Sequence, residues 1–593
     1  MKKTFLNISC KCALLLSAVS VASCDDFFQP ETEDALSGDD YMSSVSEMAT
    51  GFLGVLTTMQ QVGDKEIYLT DTRGDILEPT EQSIAPLIAL YNYDEDLTGN
   101  EYADPAAYYD VVIACNDYLY KMKEFREKYP ERVDETEYFP GLYASAIRVK
   151  AWAYMTLAEI YGQALWFDDP IHAIKDVSDS QVFTLMQTAE IVQKCISMLN
   201  TNVVLDSKMT IDPQSKFSWI SWIDKDNVNS VGSSDYRYWD MMTPDFAPLM
   251  AKLQIWNAAC LDRDGKTEEA QLAYQEVLDQ LLPYLQKYWA QYKHYWKRCP
   301  TTPGHLSSFW NNSTPYQEEV ISAIIYDYTK NQTNRLLYHF SNEYPNKYLL
   351  RSNEAARARY TDTEFNPSMG EGDKRLGLTT KEVNGQWCIS KYRPNGNVRA
   401  NAYQDDVHIY TFRCSELFLW MAEALNHLGR YEAMNRVINN GFAATDYDML
   451  MHLQNGGEEL NEVSEENRKE FAGFNSYWAV PSSVDRYGTY TGFRGCLDNL
   501  KPVDVWTEKD HSAAEAQAHN DDLLAKEWTL EFAAEGKSYP NLIRFAERYN
   551  NPAIVSDIVT IKYGSKADEI AAKIQGTNTL TGTKGYYVPW KLR

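Results

Sequence analysis

The chain has 593 residues, a formal net charge of −28, and an aromatic content of 13% that includes 41 tyrosines and 15 tryptophans. So acidic a surface repels phosphate backbones and anionic headgroups, which argues against nucleic acid as a partner. The length allows a large core, and the aromatic excess leaves rings over for a surface.

At the start, Lys2, Lys3 and Lys11 precede an apolar or small stretch from Cys12 to Ser23. That is the basic region and short apolar region of a secretory signal, about half the length of the roughly 20 apolar residues a membrane span needs. The stretch closes on Val21-Ala22-Ser23-Cys24, which resembles the bacterial lipobox, whose cysteine becomes the first mature residue and is acylated. Residues 1–23 are expected to be a lipoprotein signal peptide, Cys24 the lipidation site, and 24–40 a lipidated leader. Several acyl chains on one residue exceed the marginal binding of a single chain, so the protein is tethered to a membrane without crossing it. Removing the three lysines takes the charge from −28 to −31.

Of ten cysteines, Cys10 and Cys12 leave with the signal and Cys24 is acylated, so seven remain, an odd number. They are scattered, without CxxC or Cys/His ligand spacing, so neither a disulfide framework nor a metal site is predicted. Cys115, Cys260 and Cys414 fall in helical patterns and read as small buried hydrophobes.

Apolar residues recur at helical spacing over 103–128, 141–163, 181–199, 245–292, 411–440 and 521–535. Cys414, Leu417, Met421, Ala424 and Leu428, for example, share one helix face. Glu319 to Tyr328 is the clearest strand. Two stretches, "AACLDRDGKTEEAQLAYQEVL" from Ala258 and "AEALNHLGRYEAMNRVINN" from Ala422, each read as helix, turn at Gly265 or Gly429, and second helix. This is the pattern of tetratricopeptide pairs, in which glycine makes the turn and alanine allows close approach. Between the helices, 201–243, 299–318, 329–408 and 441–520 are rich in Asn, Gly, Pro, Ser, Tyr and Trp and read as long ordered loops. The expected fold is mainly α.

Several segments, in order, resemble the SusD/RagB family of surface lipoproteins. They are "CDDFFQP" from Cys24, "YLTDTRGD" at 68–75, "YYDVVIACNDYLYKM" at 108–122 and "AIRVKAWAYMTLAEIYG" at 146–162. "EEVISAIIY" at 318–326, "YTFRCSELFLWMAEALNHLG" at 410–429 and "EWTLEFAAEGKSYPNLIRF" at 527–545 continue the series. Lys374, Trp528 and Pro540 depart from the family's usual residues. The resemblance implies a SusD-like helical fold with tetratricopeptide-like pairs and long loop insertions, residues 41–593 forming one unit with a loop-built ligand face. It also implies a protein at the outer face of the outer membrane that captures oligosaccharides, without cleaving them, for a SusC-like TonB-dependent transporter that it covers as a lid. A peptide-binding RagB-like member and a helical glycoside hydrolase are the rival readings. No cofactor is predicted.

Sugar recognition uses flat aromatic platforms, since one face of a pyranose exposes C–H groups. The loops offer Tyr91, Tyr93, Trp219, Trp222, Trp239, Trp310, Tyr338, Tyr344 and Tyr348, and the resemblance favours Tyr91, Trp310, Tyr338 and Tyr344. Asp71 and Arg73 flank a glycine turn, where they either bond sugar hydroxyls or form an internal salt-bridged turn. Trp289, Tyr292 and Trp296 read as a packing stripe. Glu531 and Glu535 stand four apart, a spacing open to a general acid and base, but the resemblance implies that they pair with Arg or Lys.

Overall fold

The structure is a computed structural model that describes residue 42 and residues 44–134, 137–173, 182–219, 222, 239–291, 319–392, 407–440, 456–457, 494 and 500–591. Cys24, Trp310, Tyr292 and Trp296 lie outside the described residues.

Helix α1 (Val45–Val62) starts at Ser44, whose hydroxyl accepts from the Glu47 amide while the Glu47 carboxylate accepts from the Ser44 amide. Two donors of the helix end are thereby satisfied. Next come α2 (Lys65–Arg73), β1 (Leu77–Pro79), α3 (Ala85–Tyr91) and α4 (Ala106–Lys128).

Helix α5 (Tyr138–Tyr161) is buried continuously from Gly141 to Tyr161, so it lies at the centre rather than on a face. The charges it carries inward are matched: Lys252 Nζ stands 2.6 Å from Glu159 Oε1, and Arg148 donates to the carbonyls of Pro213, Ser215 and Pro244. It packs against α1, α4 and α6 (Thr188–Asn200), and ends at Gly162, whose φ of 73° suits a residue without Cβ. The segment before α6, expected to be helical from 181, instead forms strand β3 (Thr184–Gln187), which pairs with β2 (Gln163–Trp166).

Both tetratricopeptide-like pairs are present. Helix α7 (Phe246–Arg263) turns at Gly265, φ 72°, into α8 (Thr267–Gln291), with Ala270 fully buried at the approach. Helix α11 (Cys414–His427) turns at Gly429, φ 70°, into α12 (Tyr431–Asn435). α8 packs on α11, so pairs distant in sequence form one layer. The expected loop region 329–408 is more structured than its composition suggests. It holds α9 (Leu336–Phe340), β5 (Leu350–Ser352), α10 (Glu354–Asp362) and the hairpin β6 (Thr380–Val383) to β7 (Gln386–Ile389). Its strands are too short to show alternation, and Asn384-Gly385, both at positive φ, make the hairpin turn.

Among the described residues every sheet is a two-stranded antiparallel pair. One joins β4 (Val320–Ile324), within the expected strand, to β8 (Ile409–Arg413) with a register shift beside Thr411. Helices α13 (Ala513–Glu531), α14 (Ser538–Arg548), α15 (Ala553–Val559) and α16 (Ala567–Gln575) complete the order. One buried hydrophobic cluster runs from Met42 to Val588. Cys115, Cys195, Cys260, Cys388 and Cys414 are free and buried. No helix among the described residues is long and apolar enough to cross a membrane.

Candidate functional site

The acidic pair of the late motif meets inside the protein. Helix α13 ends at Glu531, and Glu535 lies beyond it in a turn where Ala534 and Gly536 take positive φ, so the two are not on one helical face as their spacing suggested. They nonetheless converge on Arg413. Its Nη2 is 3.0 Å from Glu531 Oε1, its Nε 2.9 Å from Glu535 Oε2, and its Nη1 2.8 Å from Glu319 Oε1. Arg375 adds contacts to Glu531 at 3.1 Å, Glu527 at 2.6 Å and Asp373 at 2.6 Å, and Lys391 pairs with Glu535. Burial alone would raise the Glu531 pKa, but the charges of Arg413, Arg375 and Lys391 hold it down at about 2. A carboxyl so held is no proton donor near neutral pH. The expected pairing with Arg and Lys is what the structure contains.

Asp71 and Arg73 are 0% and 1% exposed, which corrects the option that they contact a ligand. Asp71 accepts from the Gly536 amide, and burial lifts its pKa to about 7. Arg73 Nη2 donates to the carbonyls of Gly585 at 2.8 Å and Tyr587 at 3.1 Å, and its guanidinium lies 3.8 Å over the Tyr93 ring. The C-terminal segment wraps this turn and removes both side chains from solvent, which the local sequence does not reveal.

The aromatics divide by burial. Tyr93, Trp219 and Tyr348 are packing residues; Trp219 meets Trp239 edge-on at 5.1 Å and Trp222 at 5.9 Å. Tyr91 is half-buried, its ring 4.6 Å from Tyr563 and under Lys562 Nζ. Among the described candidates the most exposed rings are Tyr344, 94% exposed, and Tyr338, 42% exposed.

The loop bearing Tyr344 is pinned from below. Tyr338 carbonyl accepts from the Lys347 and Tyr348 amides, and the Thr80 amide and hydroxyl donate to the carbonyls of Leu349 and Tyr348. Beneath Tyr338, His339 Nδ1 faces the Arg335 carbonyl at 2.7 Å, so Nδ1 carries the proton and Nε2 accepts from Tyr102, also at 2.7 Å. Burial lowers the His339 pKa to about 4.

The same loop is tied to the β6–β7 hairpin: Asn342 Nδ2 donates to Val383 carbonyl and Gln386, and Tyr348 Oη to Trp387 carbonyl at 2.9 Å. Trp387 is half-buried and covered by the Arg357 guanidinium at 4.3 Å. Sequence reading passed over both residues. The one available signal was the Asn384-Gly385 hairpin turn that presents Trp387. Partly exposed tyrosine and tryptophan rings on a backbone fixed by hydrogen bonds are suited to holding a flat apolar face with a polar rim. Among the described residues no group of acids, histidines or cysteines is arranged to hold a metal.

These features define a mainly helical scaffold built on tetratricopeptide-like pairs with an aromatic loop face, and that scaffold is the SusD fold. A SusD superfamily protein from Bacteroides vulgatus ATCC 8482 superposes with a TM-score of 0.55 at 12% identity, covering 92% of this chain and 95% of that one. A SusD homolog from Bacteroides thetaiotaomicron VPI-5482 superposes with a TM-score of 0.53 at 12% identity, covering 88% of this chain and 93% of the other. No family model matches the sequence, and no curated protein matches it.

Proposed function

We propose that this chain is a SusD/RagB-type lipoprotein, anchored through Cys24 at the outer face of the outer membrane, that captures an oligosaccharide and delivers it uncleaved to a SusC-like TonB-dependent transporter as its lid. Residues 24–40 serve as the leader and 41–593 as one receptor unit. The observation that carries the reading is Tyr344: a ring 94% exposed, on a loop fixed by hydrogen bonds, in a SusD fold. Exposing a tyrosine forgoes roughly 2 kcal/mol of burial, an arrangement that suits a partner ring arriving from solution. Each platform contributes on the order of 1 kcal/mol beyond burial, so a few give capture and release in the micromolar to millimolar range.

Supporting a receptor over a hydrolase, Glu531 and Glu535 are spent on buried ion pairs. Affinity gel electrophoresis of the full chain over a glycan panel, with assay for new reducing ends, tests the reading. Retardation without cleavage is the expected result. Turnover abolished by Glu531→Gln, or binding of peptides and no glycan, would overturn it in favour of one rival or the other.

A further inference from the structure

The Arg357 guanidinium lies 4.3 Å over the Trp387 ring, and the interior does not use up its hydrogen-bonding capacity. Nη1 of Arg357 donates to the carbonyl and hydroxyl of Ser352, which fixes one end of the fork. Among the described residues its Nε and Nη2 have no hydrogen-bond partner. The carboxylates acting on it are Glu354 and Glu78, and neither forms an ion pair with it; Glu78 is committed to Arg351 at 2.6 Å and to Asn353. Burial disfavours its charge, a cost that an arriving anion removes. Lys347, exposed in the Tyr344 loop, is also without an ion-pair partner among the described residues.

We propose that Arg357, set over the Trp387 ring, is an anion-recognising subsite on the hairpin tied to the tyrosine loop, and that the captured glycan carries carboxylates, as a uronic acid polymer does. The inference rests on the glycan-receptor reading and names its substrate class. The free Nε–Nη2 edge matches the two oxygens of a carboxylate, a geometry lysine does not supply. Hydrogen bonds to Gln386, Val383 and Trp387 tie the Tyr344 loop to the hairpin that carries Trp387. The overall charge of −28 does not oppose this at close range, because acids farther than about 8 Å are screened at physiological salt. It does remove non-specific attraction, so anionic sugars bind only where a cation has been set aside for them.

The test is affinity electrophoresis of the full chain against polygalacturonate, alginate and glucuronoxylan, alongside neutral laminarin, xyloglucan and mannan and the sulfated galactan carrageenan, which carries no carboxylate. At least one uronate should retard the wild type, and its methyl ester should not. Arg357→Ala should weaken that uronate about tenfold or more, with Arg357→Lys recovering only part, while retention by any bound neutral glycan stays unchanged. Uronate affinity should also fall with added salt, a readout that needs no variant. A wild type that binds neutral glycans and no uronate, or sulfated ones only, overturns this inference and leaves the receptor reading standing. Binding of no glycan at all overturns both. Undiminished uronate binding by a folded Arg357→Ala, checked by thermal melting, also overturns it.

Discussion

Nη2 of Arg413 stands 3.0 Å from Oε1 of Glu531, joining the last residue of β8 to the last residue of α13 where water is excluded. Two more carboxylates, Glu319 and Glu535, share that guanidinium. Glu531 and Glu535 have second cations in Arg375 and Lys391, whereas among the described residues Glu319 pairs with Arg413 alone, and the difference has measurable effects.

Glu319 and Glu531 should respond oppositely to amidation. Burial drives the Glu319 pKa up to about 8 against the pull of Arg413, and among the described residues its Oε2 has no hydrogen-bond partner, so it holds a proton at pH 7. Glu319→Gln should therefore cost under about 1.5 kcal/mol. Glu531 is ionised between two guanidiniums, and Glu531→Gln should cost about 3–5 kcal/mol. Denaturant titration at pH 7 checks the order; equal losses would contradict it.

Acid sensitivity should begin with His339. Its folded pKa of about 4 lies below the usual 6.5, so between those values the unfolded chain binds a proton that the native imidazole refuses. The His339 contribution to stability therefore falls as pH drops from 6.5 to 4, by up to about 3 kcal/mol, while Asp71 and Glu319, with folded pKa values raised to about 7 and about 8, contribute in the opposite sense. His339→Gln, which cannot titrate, should remove the His339 component, read as the difference between the two pH–stability curves. Glu531 adds a separate loss below 4.5 that continues toward 2 as its carboxylate is protonated.

Tyr344→Ala should reduce glycan affinity about five- to tenfold without moving the melting temperature, because an exposed ring stabilises the ligand rather than the fold. Tyr338→Ala should have a smaller effect. Isothermal titration paired with thermal melting separates the two quantities, and a lowered melting temperature with unchanged affinity would assign these rings to packing.

Gly585→Ala should be among the most damaging single methyl additions. A Cβ there would overlap the Lys573 carbonyl oxygen, which belongs to the rigid backbone of α16. A loss of about 2–4 kcal/mol is expected in denaturant titration. Gly54→Ala, where a Cβ meets nothing within 4 Å, is the control, and should be neutral or stabilising.

How far the sequence could be read depended on the range of the determining interactions. Helices α4, α5 and α11 and the turns at Gly265 and Gly429 were legible because period and turn chemistry are local. Glu535 reads as helical because the glycine stop signal, Gly536, comes after it, whereas the helix already ends at Glu531 and Ala534, a good helix former, takes positive φ. Exposure was the least legible property. Asp71 and Tyr344 both sit among polar and aromatic neighbours, yet one is sealed by residues from the far end of the chain and the other stands in solvent. Trp387 went unnoticed because its value comes from Arg357, thirty positions earlier and on another element.

The contact between Arg73 and the carbonyl of Gly585 spans 512 positions. Val588 likewise donates to the carbonyl of Ile160 at the end of the central helix. An early guanidinium thus waits, during synthesis, for acceptors made more than five hundred residues later, and a chain cut before Gly585 would leave that cation desolvated and unanswered. Residues 585–588 close the fold like a purse string around Arg73 and the end of the central helix.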